Sequence, residues 1–139
     1  MASDALVARL ARYGTLVEVG VGDRGDLAAA LVAADRRVTA TDVRDVAVPA
    51  GVRFVRDDVV ERARTVATDP GPYAGADAVY ARRLPPELHR PTLTVARAAG
   101  ADCLFTTLGG DPPTVPVEVE TLPDATLYRA RADGPGARG

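Results

Sequence analysis

The hydrophobic and polar positions of the 139-residue chain follow two alternating periods, which predicts strands alternating with helices. Short runs rich in valine, alanine and leucine are typical of buried parallel strands, and they lie at 15–19, 37–41, 52–55, 76–81 and 102–107. Apolar residues spaced three and four apart predict helices at 4–13, 25–35, 58–67 and 85–99. Two last runs, at 115–120 and 126–131, predict a β-hairpin.

Strands that alternate with helices form a mainly parallel sheet covered on both faces, so we predict a three-layer α/β/α Rossmann-like fold. The fold is expected to be trimmed, because 43–51 is too short for a crossover helix and 108–114 leaves no room for a helix after the fifth strand. We expect one domain over 1–131 and a flexible polar tail over 132–139. The helix at 85–99 should kink or restart at Pro91, since proline has no N–H to donate.

A glycine-rich loop connects the first predicted strand to the following helix. Gly20 allows a tight turn, Gly22 lets backbone N–H groups approach a ligand, and Gly25 lets the helix pack close to the sheet. A GxGxxG pattern between a strand and a helix is typical of nucleoside-cofactor sites. Asp42 follows Gly22 by 20 residues, at the end of the next strand, where a carboxylate can accept both hydroxyls of a ribose.

Glu18 helps to choose between cofactors, because it lies at the end of a strand buried on both faces. A buried carboxylate is costly unless it meets a cation or hydrogen-bond donors. S-adenosylmethionine offers an amino group and a sulfonium, both positively charged. A glycine loop with Gly25 as its third glycine is also found in dinucleotide-binding proteins, so NAD is the alternative cofactor.

The segment from Glu18 to Gly22 resembles the first motif of the class I S-adenosylmethionine-dependent methyltransferases, whose acid and glycines hold the methionine moiety and the ribose. The segment ending at Asp42 resembles their second motif, whose acid binds the ribose. The segment 54–58 resembles their third motif, which implies that Asp58, or else Asp57, approaches the adenine. The resemblance covers about residues 2–105 and is closest to a small uncharacterised archaeal family of methyltransferase-like proteins.

The double proline Pro85–Pro86 occupies the place of the fourth methyltransferase motif. In amino-methylating proteins a polar residue before the prolines orients the nucleophile, whereas Leu84 stands there in this chain. No catalytic residue is therefore assigned. Arg82 and Arg83 lie at the same edge and could hold a phosphate or carboxylate of a substrate.

Three functions remain open from the sequence. The chain could be a small S-adenosylmethionine-binding protein that transfers a methyl group, a nucleoside-binding or partner-binding module without catalysis, or an NAD-dependent oxidoreductase. Glu18 disfavours the last of these, and Leu84 favours the second. His89, one turn beyond the prolines, is expected at the surface, and Cys103 in the core.

Composition narrows the class of protein only slightly. A net charge of −2 gives no signal for nucleic-acid binding, and no apolar run approaches the ~20 residues of a membrane helix. One histidine and one cysteine predict neither a metal site nor a disulfide framework. The first residues lack the features of a secretory signal, so we expect a cytoplasmic protein.

Overall fold

The computed structural model describes residues 3–132, which contain one seven-stranded sheet. The strands are β1 (Thr15–Val19), β2 (Arg37–Asp42), β3 (Arg53–Arg56), β4 (Ala78–Ala81), β5 (Asp102–Phe105), β6 (Glu118–Leu122) and β7 (Ala125–Ala130). The helices are α1 (Asp4–Leu10), α2 (Asp26–Ala33), α3 (Val59–Thr65) and α4 (His89–Ala98). Short 3-10 turns lie at Gly71–Tyr73 and Pro86–Leu88.

The strand order is β3-β2-β1-β4-β5-β7-β6. Strands β1 to β5 pair in parallel, whereas β7 lies between β5 and β6 and is antiparallel to both. The mainly parallel sheet and the C-terminal hairpin are therefore confirmed. The chain order reverses beside β1, and open α/β sheets bind ligands beyond the carboxyl ends of their strands at such a point.

Helices cover both faces of the sheet because its central strands are apolar on both sides. Leu16 and Val17 of β1 are both buried and point to opposite faces. α1 and α2 pack on the Leu16 face, where Leu27 joins the core. α3 and α4 pack on the Val17 face through residues such as Val59 and Leu93. The three-layer prediction is confirmed.

The two trimmed connections carry no helix. Residues 43–52 run from β2 to β3 without regular structure, and Val46 and Val48 pack against the core beside α2. Residues 106–117, between β5 and β6, are likewise irregular. Each connection leaves the carboxyl edge of the sheet, after β2 or β5, and crosses to the start of a strand that runs in the same direction.

Two local expectations change. The helix neither kinks nor restarts at Pro91, because the turn at Pro86–Leu88 leads into α4 at His89. Pro91 thus lies in the first turn of α4, where backbone N–H groups have no intrahelical acceptor. Proline at this position therefore removes no hydrogen bond from the helix. The hairpin strands lie at Glu118–Leu122 and Ala125–Ala130, closer to the turn than predicted.

Most of the expected tail, 133–139, falls outside the described residues. Among residues 3–132, none of the helices has the length and apolarity needed to cross a bilayer.

Candidate functional site

The glycine loop closes directly onto the end of β2. Gly20 and Gly22 adopt positive φ angles of 71° and 57°, which glycine tolerates without a steric penalty. The backbone N–H groups of Gly20 and Val21 both donate to the carbonyl of Thr41 at 3.0 Å. Backbone hydrogen bonds therefore hold the loop against the end of β2.

Asp42 is buried at this junction, and its carboxylate is oriented by two backbone donors. Gly22 N–H donates to Asp42 Oδ2 at 2.8 Å, and Arg44 N–H donates to Oδ1 at 3.1 Å. Each carboxylate oxygen keeps a further lone pair. A cavity of about 510 Å³ adjoins this junction and is lined in part by Gly22, Arg44 and Val46. The arrangement is able to accept hydroxyl groups from a sugar at a fixed position.

Glu18 lies two residues before the loop, on the α2 side of the sheet, and is 2% exposed. Its Oε1 accepts a hydrogen bond from the hydroxyl of Tyr80 at 2.8 Å. Burial raises the pKa of Glu18 to about 7, while the Tyr80 bond and the nearby charge of Arg82 act in the opposite direction. Near neutral pH this carboxyl group thus lies close to its point of half-ionisation, and a cation beside it would favour the charged form.

Arg82 lies next to Glu18 but is already paired within the protein. Its Nη2 is 2.7 Å from Asp26 Oδ1 and also donates to the carbonyl of Arg24 at 3.0 Å. The hydrogen bond from Arg82 lowers the pKa of Asp26 to about 2, so this pair stays charged. Arg82 therefore holds the glycine loop against the end of β4, rather than presenting a free guanidinium as the sequence suggested.

The third motif ends in two acids with different surroundings. Asp58 caps α3, where its Oδ1 accepts from Val60 N–H at 2.9 Å. Asp57 Oδ1 is paired with Arg62 Nη2 at 2.7 Å, while its Oδ2 is buried and has no hydrogen-bond partner among residues 3–132. Both acids line a cavity of about 430 Å³ with Val43 and Arg56. The structure brings both acids to the edge that carries Asp42, since Asp57 N–H donates to the carbonyl of Asp42 at 2.9 Å.

The double proline builds a rigid turn at the end of β4. Pro85 and Pro86 are exposed, and Pro86 begins a 3-10 turn. Leu84 before them is buried, at 2% exposure. Arg83 has a φ angle of 52°, and its N–H donates to Thr106 Oγ1 at 2.9 Å. This segment thus supplies a fixed backbone and one exposed cation, with no polar side chain at position 84.

His89 was predicted at the surface, and that prediction is wrong. The ring is fully buried and stacks near Phe105, with ring centroids 4.5 Å apart. Nδ1 accepts from Thr114 N–H at 3.1 Å, which assigns the proton to Nε2, and Nε2 then donates to the carbonyl of Leu84 at 2.9 Å. His89 therefore connects two loops of the edge instead of serving as an exposed base. Cys103 is buried, as expected, and burial raises its pKa to about 12.

Sequence reasoning missed two partners, Tyr80 for Glu18 and Asp26 for Arg82. The two contacts join residues 62 and 56 positions apart, so no local pattern reveals them.

The third glycine, Gly25, was assigned correctly as a close-packing position but with the wrong neighbour. A Cβ at Gly25 would lie 2.6 Å from Pro49 Cδ, so the close approach is to the β2–β3 connection and not to the sheet.

In the strand order, β7 lies antiparallel between β5 and β6, and the glycine loop follows the carboxyl end of β1. This is the fold of the class I S-adenosylmethionine-dependent methyltransferases. An RNA methyltransferase from Salinibacter ruber, solved with S-adenosyl-L-homocysteine, superposes with a TM-score of 0.60 at 17% identity, covering 93% of this chain and 91% of that one. Aeropyrum pernix fibrillarin with natively bound S-adenosyl-L-methionine gives 0.52 at 14% identity, covering 84% and 65%. At such identities the likeness concerns the fold.

Within that class, the chain belongs to the Uncharacterised protein family (UPF0146), whose sequence profile matches residues 2–129. A UPF0146 protein of Halobacterium salinarum is 50% identical over 127 residues, which is 91% of this chain and 94% of the relative. A UPF0146 protein of Archaeoglobus fulgidus is 40% identical over 98 residues, covering 70% and 71%. The predicted resemblance to an archaeal methyltransferase-like family is confirmed.

Proposed function

We propose that this protein binds S-adenosylmethionine at the carboxyl edge of β1, β2 and β4. The observation that carries the proposal is Glu18, a carboxyl group that is 2% exposed and has a pKa raised to about 7 beside a glycine loop. Burial of such a group is costly for folding, and a cationic ligand offsets part of that cost. S-adenosylmethionine supplies that cation together with a ribose and an adenine.

The other polar groups of the edge fit the remaining parts of this cofactor. Asp42, held by two backbone N–H groups, would accept hydrogen bonds from the ribose hydroxyls. The cavity lined by Asp57 and Asp58 would take the adenine, and Asp57 Oδ2, buried without a partner among the described residues, is an acceptor suited to its amino group. When bound, the cofactor supplies an activated methyl group; the residues named here bind and orient it.

NAD, the alternative raised by the third glycine, gains no support from the structure. Gly25 is required by its contact with Pro49, which is independent of any ligand. Two of the solved structures with this fold are described as holding S-adenosylmethionine or S-adenosylhomocysteine. The spacing of the three glycines therefore does not favour a dinucleotide.

Binding is tested by thermal unfolding and calorimetry with S-adenosylmethionine, S-adenosylhomocysteine, NAD and NADP. A ligand present at about 100 times its dissociation constant stabilises the fold by about 2.7 kcal/mol, which is several degrees in Tm. We expect stabilisation by the first two ligands only. A response to NAD alone, or to none of the four, would refute the proposal.

A matched pair of variants locates the site. Asp42→Asn removes the charge at the proposed ribose contact, whereas Asp45→Asn removes the same charge from an exposed position in the connection that follows β2. We expect Asp42→Asn to weaken S-adenosylmethionine binding at least about tenfold, because charge-assisted hydrogen bonds are lost. The Asp45 variant should bind like the unmodified protein. Equal affinities for both variants would remove Asp42 from the site, and apo unfolding curves report any loss of fold separately.

Methyl transfer to a second molecule is the second candidate function. A cleft next to Arg82 favours it, since transfer needs room for an acceptor beside the cofactor. In that reaction Glu18 and Asp42 would hold the cofactor, which would supply the methyl group to a lone pair of the acceptor atom, and the proton of the acceptor would pass to water. Buried Leu84 opposes it, because no polar side chain at that position orients a nucleophile. Transfer predicts that the protein, added to S-adenosylmethionine and a cell extract, raises S-adenosylhomocysteine formation above that of the extract alone, and that Asp42→Asn lowers this increase; no increase refutes transfer.

A further inference from the structure

A cleft of about 390 Å³ lies at the carboxyl ends of β4 and β5, beside the start of β7. Its size suits a small molecule. On one side its lining includes residues of the β6–β7 turn and the start of α1, where Ser3 Oγ donates to Asp124 Oδ1 at 2.9 Å. On the other side the lining includes three arginines, Arg24, Arg82 and Arg83. The cleft thus has a cationic side that adjoins Glu18 and the glycine loop.

The three guanidinium groups differ in how far they are neutralised. Arg82 is paired with Asp26 at 2.7 Å and contributes little free charge. Arg24 and Arg83 are exposed, and among residues 3–132 no carboxylate forms an ion pair with either of them. Asp124, a carboxylate that also lines the cleft, lies on the β6–β7 turn and accepts the hydrogen bond from Ser3. Arg24 and Arg83 therefore face the cleft near the proposed cofactor, and neither is held in an ion pair by the described part of the chain.

The backbone of Arg83 is held in an uncommon conformation. Its φ angle of 52° is costly for a residue with a Cβ, by about 1 kcal/mol or more. Two hydrogen bonds to the same residue maintain it: Arg83 N–H donates to Thr106 Oγ1, and Leu84 N–H donates to the carbonyl of Thr106, both at 2.9 Å. Buried Leu84 fixes the next position. The side chain of Arg83 thus leaves the cleft wall from a rigid base.

Hydroxyl groups complete the lining. Thr106 Oγ1 accepts from Arg83, so its own proton remains available to a ligand, and Thr126 and Tyr128 add further hydroxyls. Guanidinium forks together with hydroxyl donors are the groups that recognise phosphate and carboxylate oxygens. An apolar or cationic ligand would leave these donors unmatched.

We propose that this cleft binds the anionic group of a small molecule, a phosphate or a carboxylate, through Arg24 and Arg83 with the hydroxyl of Thr106. Because the cleft adjoins Glu18 through Arg82, that molecule is the second ligand of the site. Its placement beside S-adenosylmethionine rests on the proposed function, whereas anion binding by the apo protein does not.

The test uses the apo protein and two simple probes, inorganic phosphate and succinate, which distinguish the two anion chemistries. Amide chemical shifts are followed by NMR during each titration in a low-chloride buffer. The double variant Arg24→Gln/Arg83→Gln is compared with Arg90→Gln/Arg97→Gln, which removes two positive charges from exposed positions on α4. The control pair separates site binding from a general loss of charge.

We expect phosphate, succinate or both to shift the amides of Arg83, Thr106 and Thr107 and to bind at least about tenfold more weakly to the cleft variant. The α4 variant should retain the affinity of the unmodified protein. The proposal is overturned if neither anion shifts these amides, or if both double variants lose affinity equally. Anion binding without S-adenosylmethionine binding would refute the cofactor proposal alone, and the reverse result would refute the anion site alone.

Discussion

The buried Glu18 makes the stability of this protein depend on pH in a way that one substitution removes. In the unfolded chain the group titrates at its ordinary pKa of 4.5, whereas burial raises the pKa of the folded state to about 7. Below about pH 4 the carboxyl group is neutral in both states and has no effect. As the pH rises from 4.5 to about 7, the carboxyl group loses its proton in the unfolded state before it does so in the folded state. The folded state therefore loses stability over this pH range.

The size of the effect follows from the two pKa values. At about 1.36 kcal/mol per pKa unit, a rise from 4.5 to about 7 corresponds to about 3 kcal/mol lost by the folded state above neutral pH. Solvent screening does not reduce this figure much, because the side chain is 2% exposed. Glu18→Gln keeps an oxygen that can accept the hydrogen bond from Tyr80 and removes the charge. We therefore expect this variant to be more stable than the unmodified protein by about 3 kcal/mol near pH 8, and by less than about 1 kcal/mol near pH 5.

The measurement is urea unfolding of both proteins at several pH values from about 5 to 8. Glu87→Gln removes the same charge from an exposed position and should show no such trend. A difference in stability between Glu18→Gln and the unmodified protein that stays constant with pH would refute the argument, as would a variant that is less stable near pH 8.

Ligand affinity should depend on the same range of pH, from 4.5 to about 7. The affinity for S-adenosylmethionine should rise as Glu18 ionises, and it should be lower and independent of this window in Glu18→Gln.

Two further substitutions test how the edge is built. Gly25→Ala should lower the free energy of unfolding by about 1–3 kcal/mol, because the new Cβ would lie 2.6 Å from Pro49 Cδ. Gly110→Ala, where a Cβ meets open space, should change it by less than about 0.5 kcal/mol in the same denaturation assay, and equal effects would contradict the packing argument. Arg83→Gly should be at least about 1 kcal/mol more stable than Arg83→Val, since a φ angle of 52° suits glycine and excludes a β-branched side chain. Equal stabilities would show that the turn relaxes on substitution.

Much of the fold could be predicted because its signals are local. Alternating apolar runs and helical periods located β1 to β5 and the four helices, with ends displaced by a few residues. The glycine loop and Asp42 were recognised from their spacing, and both lie at the predicted edge. Strand order was harder, because the hairpin pattern does not specify which of its strands pairs with β5. In the structure it is β7, the later strand, that does so.

What the sequence by itself determined is the set of elements and the edge at which their polar residues gather, because parallel strands share a direction and their carboxyl ends meet. Only the tertiary structure decided the state of each group there. It paired Arg82 with Asp26, buried His89 between two loops and left Arg83 exposed. It also raised the pKa of Glu18 through burial, which the Tyr80 hydrogen bond only partly offsets, and both depend on residues far apart in the chain. Charge, exposure and partner are properties of packing, so a motif gives the position of a functional residue before it gives its chemistry.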